Sequence, residues 1–122
     1  MAMLNWDLKK NDDKITLLLT GALSRHTLLP LWQQRAVLLS ATNLDKPYIE
    51  WDLSGLTRID SAGFAALCDF LRDCQQLPNK TVQLIHPPQQ LLTLADLVGL
   101  ADWIAKFTAL NSNGSPNGTA RN

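Results

Sequence analysis

The residues best placed for chemistry are Asp60 and Ser61, which open the run Asp60-Ser61-Ala62-Gly63 where a strand and a short loop feed a helix. Backbone N–H groups at a helix start lack intrahelical acceptors, so that end favours an acceptor oxygen or an anion. Ser61 can serve as the N-cap, an effect of about 1 kcal/mol. It can also carry a phosphate of up to about two negative charges, which the helix end would favour and the Asp60 carboxylate would oppose. Gly63, at the second helical position on this count, is disfavoured by about 1 kcal/mol relative to Ala. A glycine there points to close approach, by neighbouring backbone or by a partner. An enzymatic site built from Asp52, Asp60 and Ser61 would need a base or a phosphate-binding loop. No histidine base and no Gly-rich loop with its Lys stands with them in the sequence, so no catalytic residue is expected.

The other reactive side chains carry less. Cys68 and Cys74 lie six residues apart on one predicted helix, on different faces, so no disulfide joins them and they read as small apolar fillers. His26 and His86 are isolated from each other and from any Cys at metal-ligand spacing, and each reads as a loop or strand-end residue. Neither a metal nor a cofactor is expected. Two triplets near the C-terminus, Asn113-Gly114-Ser115 and Asn117-Gly118-Thr119, match glycosylation acceptors but read as accidents of a polar segment.

The elements that position the Asp60-Ser61 turn follow from periodicity. Leu4, Trp6 and Leu8 alternate with polar residues, Lys9 to Lys14 supplies a charged turn, and Ile15 to Leu19 is a β-favouring run, which together predict a hairpin whose second strand ends at Gly21. Ser24 or Thr27 can cap a helix from about Leu28 to Ala41, with Pro30 tolerated in its first turn. Tyr48 to Leu53 alternates Ile49, Trp51 and Leu53 with polar neighbours and predicts a strand, followed by a loop from Ser54 to Arg58. A helix from about Ala62 to Leu77 has its apolar stripe at Leu67, Phe70, Leu71, Cys74 and Leu77. Phe64 lies off that stripe, as a second core layer or an exposed anchor. Val82, Leu84 and Ile85 predict a further strand, Gln89 to Val98 a helix stopped by Gly99, and Ala101 to Leu110 a last short helix or strand. Helices between strands imply parallel crossovers and the hairpin an antiparallel edge. The predicted fold class is therefore α/β, a mixed four- to five-stranded sheet with helices packed on it.

Composition bounds the function. The 122 residues balance 11 basic against 11 acidic side chains, which argues against a nucleic-acid binder. Charges such as Asp96 and Asp102 interrupt the longest apolar stretches, short of the roughly 20 residues of a membrane span. With no apolar signal core at the N-terminus, the chain reads as cytoplasmic. Residues 1–110 are expected to form a single domain, and 111–122 a disordered polar tail without a large apolar side chain.

The run from Trp51 to Gly63, Trp51-Asp52-Leu53-Ser54-Gly55-Leu56-Thr57-Arg58-Ile59-Asp60-Ser61-Ala62-Gly63, followed by an Ala- and Leu-rich helix, resembles the strand, loop and Asp-Ser-x-Gly turn of STAS domains, the fold of anti-sigma-factor antagonists. The segment from Leu28 to Arg35, Leu-Leu-Pro-Leu-Trp-Gln-Gln-Arg, is similar to the first helix of the branch that serves bacterial phospholipid transport. The resemblance covers roughly Leu4 to Leu100. It implies a non-enzymatic accessory subunit, peripheral to the inner membrane, that binds and supports an MlaF-like ABC ATPase in a complex with a permease and an MCE-type lipid-binding protein. That system maintains outer-membrane lipid asymmetry.

In the phospholipid-transport branch, the position matching Ser61 lies at the partner-facing surface. The implied ATPase interface comprises Ser61, Asp60, Ala62, Gly63, Phe64, Ala65 and Trp32. In the anti-sigma branch the matching serine is phosphorylated by a partner kinase, so the alternative is an anti-sigma-factor antagonist with Ser61 as phosphoacceptor. Ala62 departs from the small polar residue or Gly common in that turn. The residues themselves are compatible with an interface: Trp32 either packs onto the sheet or serves as an aromatic anchor, and Ala62, Gly63, Ala65 and Ala66 permit close approach.

Overall fold

The computed structural model describes the backbone of residues 3–112 and the side chains of residues 3–108. Four strands form one sheet in the order β1-β2-β3-β4: β1 Leu4–Asn11, β2 Lys14–Leu23, β3 Tyr48–Ile59 and β4 Thr81–Ile85. β1 and β2 make an antiparallel hairpin, and β2–β3 and β3–β4 are parallel. Five helices complete the described residues: α1 Leu28–Gln33, α2 Arg35–Leu38, α3 Ser61–Gln75, α4 Gln89–Leu97 and α5 Ala101–Ser112. The mixed sheet is thus the expected one, with four strands, and the C-terminal segment is a helix.

Strand alternation decides which side chains enter the core. Ile15, Leu17 and Leu19 of β2, Ile49, Trp51 and Leu53 of β3, and Val82 and Leu84 of β4 are buried against the helices. α3 supplies the facing layer with Phe64, Leu67, Cys68, Phe70, Leu71 and Cys74. Trp51 stacks on Phe70 at 5.5 Å between centroids with an interplanar angle of 8°. Its buried indole N–H has no hydrogen-bond partner among the described residues.

Three boundaries differ from the periodicity reading. β2 does not end at Gly21 but runs on to Leu23, because Gly21 takes φ +91° and brings the chain against Met3, whose carbonyl a Cβ at Gly21 would meet at 1.9 Å. The loop expected over Ser54 to Arg58 is strand. β3 continues to Ile59 beside β2 through two register shifts, and Leu53, Leu56 and Ile59 all reach the core at a spacing of three that strict alternation would forbid. The helix expected over Leu28 to Ala41 is interrupted at Gln34, whose N–H is shared between the Pro30 and Leu31 carbonyls. Neither Ser24 nor Thr27 caps it by side chain. Instead the Thr27 hydroxyl donates to the Ala22 carbonyl at 2.7 Å and accepts from Ser24 N–H at 2.9 Å, closing the loop between β2 and α1.

The tail expected from Asn111 lies outside the described residues, apart from the two residues on which α5 ends. No helix among the described residues is long and apolar enough to cross a membrane.

Candidate functional site

β3 ends at Ile59 and α3 begins at Ser61, so a single residue, Asp60, makes the corner. Two anchors fix it. Asp60 N–H donates to the Leu23 carbonyl at the end of β2, and Ile59 N–H donates to Gln90 Oε1 at the start of α4, 3.0 Å away. Asp60, not Ser61, is the N-cap: its backbone is extended and its Oδ1 accepts from Gly63 N–H at 2.8 Å. Oδ2 accepts from Arg25 N–H at 3.1 Å, tying the β2–α1 loop to the same carboxylate. Partial burial pushes the Asp60 carboxyl upward. The N–H groups of Gly63, Arg25 and Ala62, with the Arg25 charge, outweigh that, and the group is held below its ordinary value.

With the cap supplied by Asp60, Ser61 falls at the first helical position, exposed, its hydroxyl released from the structural duty expected of it. Gly63 is at the third position rather than the second, and is buried. A Cβ there would lie 2.1 Å from the Leu23 carbonyl oxygen. Of the two reasons a glycine could stand here, close approach of neighbouring backbone is the one observed.

The expected interface residues separate by exposure. Ser61 and Ala65 are exposed and Asp60 and Ala62 half-buried, whereas Gly63 and Phe64 are buried, Phe64 at 4% exposure as core rather than anchor. Trp32 lies apart from the turn. It is half-buried, its ring 5.6 Å from Phe70, nine residues along α3 from Ser61, and the Arg35 guanidinium stands 4.2 Å from its centroid. Asp52 is not brought to the turn either: its Oδ1 accepts from Ser54 N–H within β3. The Asp60 oxygens are committed to backbone donors.

A groove opens where Ser61 points. It encloses about 310 Å³ between α3 and α4, lined by Ser61, Phe64, Ala65, Cys68, Leu94 and Val98 among others. Beside it Leu97 and Val98 are 76% and 59% exposed, a large apolar surface for one short helix. Sequence reasoning missed these two residues. The signal was there, since α4 with its C-cap residue carries Leu91, Leu92, Leu94, Leu97 and Val98 around more than one face, and only one face can be buried in the core.

On the other side of Asp60 lies a second cavity of about 610 Å³, lined by Ala22, Ser24, Arg25, His26, Thr27, Arg58 and Asp60. Arg25 and Arg58 were also not foreseen. They come from separate loop and strand segments that the parallel pairing of β2 with β3 brings together. No group of three or more His, Cys, Asp or Glu able to hold a metal occurs among the described residues.

The family model described as "Mlab, STAS domain" matches residues 6–108. The intermembrane phospholipid transport system binding protein MlaB of Haemophilus influenzae is 73% identical over 105 residues, 86% of this chain and 99% of that protein. Among solved structures, the Bacillus cell fate determinant SpoIIAA in its phosphorylated form aligns with a TM-score of 0.59 at 17% identity, covering 81% of this chain and 87% of that one. An anti-sigma factor antagonist from Mycobacterium paratuberculosis aligns with a TM-score of 0.59 at 17% identity, covering 82% and 81%. At such identities these two show a shared fold.

Proposed function

The chain belongs to the STAS domain family in its MlaB branch, and from that membership we propose that it is a non-enzymatic accessory subunit that binds and supports the ATPase of an ABC-type phospholipid transport system. On this reading it is held at the cytoplasmic side of the inner membrane by its partner, an MlaF-like ATPase, in a complex with a permease and an MCE-type lipid-binding protein. The transport system maintains outer-membrane lipid asymmetry.

One observation carries the assignment of the contact surface: an apolar groove opens beside an exposed Ser61 that the fold does not need as a cap. Apolar pockets rimmed by polar groups are where partners place buried anchors. Ser61 and Ala65 would contact the ATPase directly, with Leu97 and Val98 widening the surface and Trp32 as a second anchor along α1. Asp60, Ala62, Gly63 and Phe64 hold that surface in place from beneath.

Co-purification with the cognate ABC ATPase tests this. Ser61→Glu and Ala65→Arg change exposed positions, and an acidic residue in the first turn suits the helix end, so both variants should fold. Each is expected to lose ATPase binding by about tenfold or more. Full binding and full ATPase activity with both variants would sink the assignment. The alternative, an anti-sigma-factor antagonist phosphorylated on Ser61, draws on the shared fold alone. Intact mass after incubation with a cognate kinase and ATP decides it, an unchanged mass excluding that role.

A further inference from the structure

We propose that the cavity formed by Arg25, His26 and Arg58 is a docking site for an acidic side chain of the ATPase partner, the charged half of an interface whose apolar half is the groove at Ser61. The inference rests on the reading of the chain as an ATPase-binding subunit and adds the chemistry of the partner's contact.

The four arginines of the described residues divide into two kinds. Arg35 lies over Trp32 and donates to its carbonyl, and Arg72 pairs with Asp69 at 3.0 Å. Arg25 and Arg58, both exposed, form no ion pair among the described residues. Arg25 Nε donates to His26 Nε2 at 3.4 Å, and its charge acts on Asp60 from beyond ion-pair distance. Asp60 is the one carboxylate lining the cavity, and its oxygens already accept from Gly63 N–H and Arg25 N–H. Arg25 and Arg58 thus both line a cavity whose one acid accepts from the backbone. Planar guanidinium forks suit carboxylate recognition and are enriched at interface centres.

The walls are already in place. Ser24 and Thr27 cross-link the loop through Ser24 N–H to Thr27 Oγ1 at 2.9 Å, Thr27 Oγ1 to the Ala22 carbonyl at 2.7 Å and His26 N–H to Ser24 Oγ at 3.2 Å. A partner side chain entering here has little loop ordering to set against its binding. The occupant follows from continuity. Asp60 lines this cavity and Ser61 lines the apolar groove, so two adjacent residues form the ridge between them. A protein surface that seats an apolar anchor on one side of this ridge meets Arg25 and Arg58, neither in an ion pair among the described residues, on the other. The volume of about 610 Å³ admits a side chain with part of its own segment.

The test measures the affinity of the full chain for the purified cognate ATPase, in low and in moderate salt, for the wild type, Arg25→Glu/Arg58→Glu and Arg25→Lys/Arg58→Lys. The Glu pair is expected to bind about 100-fold more weakly and to lose the salt dependence of the wild type, while the Lys pair, keeping both charges, stays within about tenfold. Thermal unfolding of the Lys pair should match the wild type, since the two side chains are exposed and keep their charge; the Glu pair brings an acid near Asp60, so its affinity is measured at a temperature where it is fully folded. Wild-type affinity in the Glu pair, with binding still lost in Ala65→Arg, would overturn the acidic contact and leave the ATPase assignment standing. Failure of the wild type to bind the ATPase would overturn both. A nuclear magnetic resonance titration with inorganic phosphate adds a third arm: shifts confined to Arg25, His26 and Arg58, with ATPase affinity unaffected by the Glu pair, would mark a small-anion site and also overturn the proposal.

Discussion

At the scale of single residues, Asp60 holds the site together. One carboxylate caps α3 through Gly63 and secures the β2–α1 loop through Arg25 N–H, so its two oxygens join the elements that flank Ser61. Asp60→Ala removes both bonds and should cost about 1–2 kcal/mol in urea unfolding. Asp60→Asn keeps a capping oxygen and isolates the contribution of the charge. The folded carboxyl sits below its ordinary 3.8. The stability due to ionisation is therefore complete above that value and is lost as pH falls through the lower folded one. The gap between wild type and Asp60→Asn should be constant near neutrality and close in acid below about 3.8. A gap that grew on acidification would mean that the carboxylate is not stabilised by these donors.

At the scale of elements, the decisive contact is between the end of β2 and the first turn of α3. Gly63 lets the helix backbone meet the Leu23 carbonyl, and Asp60 N–H donates to that same oxygen. Helix propensity alone says that Gly63→Ala should stabilise by about 1 kcal/mol. The packing says the opposite, because a Cβ 2.1 Å from a backbone oxygen must push the helix off the strand. Destabilisation of about 3 kcal/mol is expected, together with weaker ATPase binding as the Ser61 turn moves. A more stable Gly63→Ala protein would show that the close approach does not exist in solution. The same contact explains why β3 runs through what its sequence marks as a loop. Ser54, Gly55 and Thr57 look like turn residues, yet Thr57 donates its hydroxyl to the Gly21 carbonyl, and Leu56 and Ile59 are drawn into the core beside β2.

At the scale of the whole molecule, α3 packs its apolar stripe into the core and borders the groove toward α4 with Ser61, Ala65 and Cys68. Both cysteines are buried, Cys68 along the groove toward α4. Burial pushes their thiols to about 11, with Arg72 and the Trp51 indole opposing that rise at Cys68 and Cys74 respectively. At pH 8 neither should be thiolate, so the native protein should resist a maleimide for hours and take up two labels when unfolded in urea, as counted by intact mass. Rapid labelling of Cys68 in the native state would mean that the α3–α4 groove widens enough to admit the reagent to this buried thiol.

What the sequence determined by itself is the local grammar: alternation in β2, β3 and β4, the apolar stripe of α3, and the Asp-Ser-x-Gly turn. Each is written in neighbouring residues and needs no distant contact to be read. The choice of Asp60 over Ser61 as cap, the assignment of Gly63 to backbone contact, the extension of β3 and the meeting of Arg25 with Arg58 were decided only by tertiary structure. All four depend on the parallel register of β2 against β3, which places Leu23 opposite Ile59 and Ala22 opposite Arg58, residues 36 apart in sequence. A register between distant strands is fixed by the fit of whole faces in the core, and no local pattern encodes it.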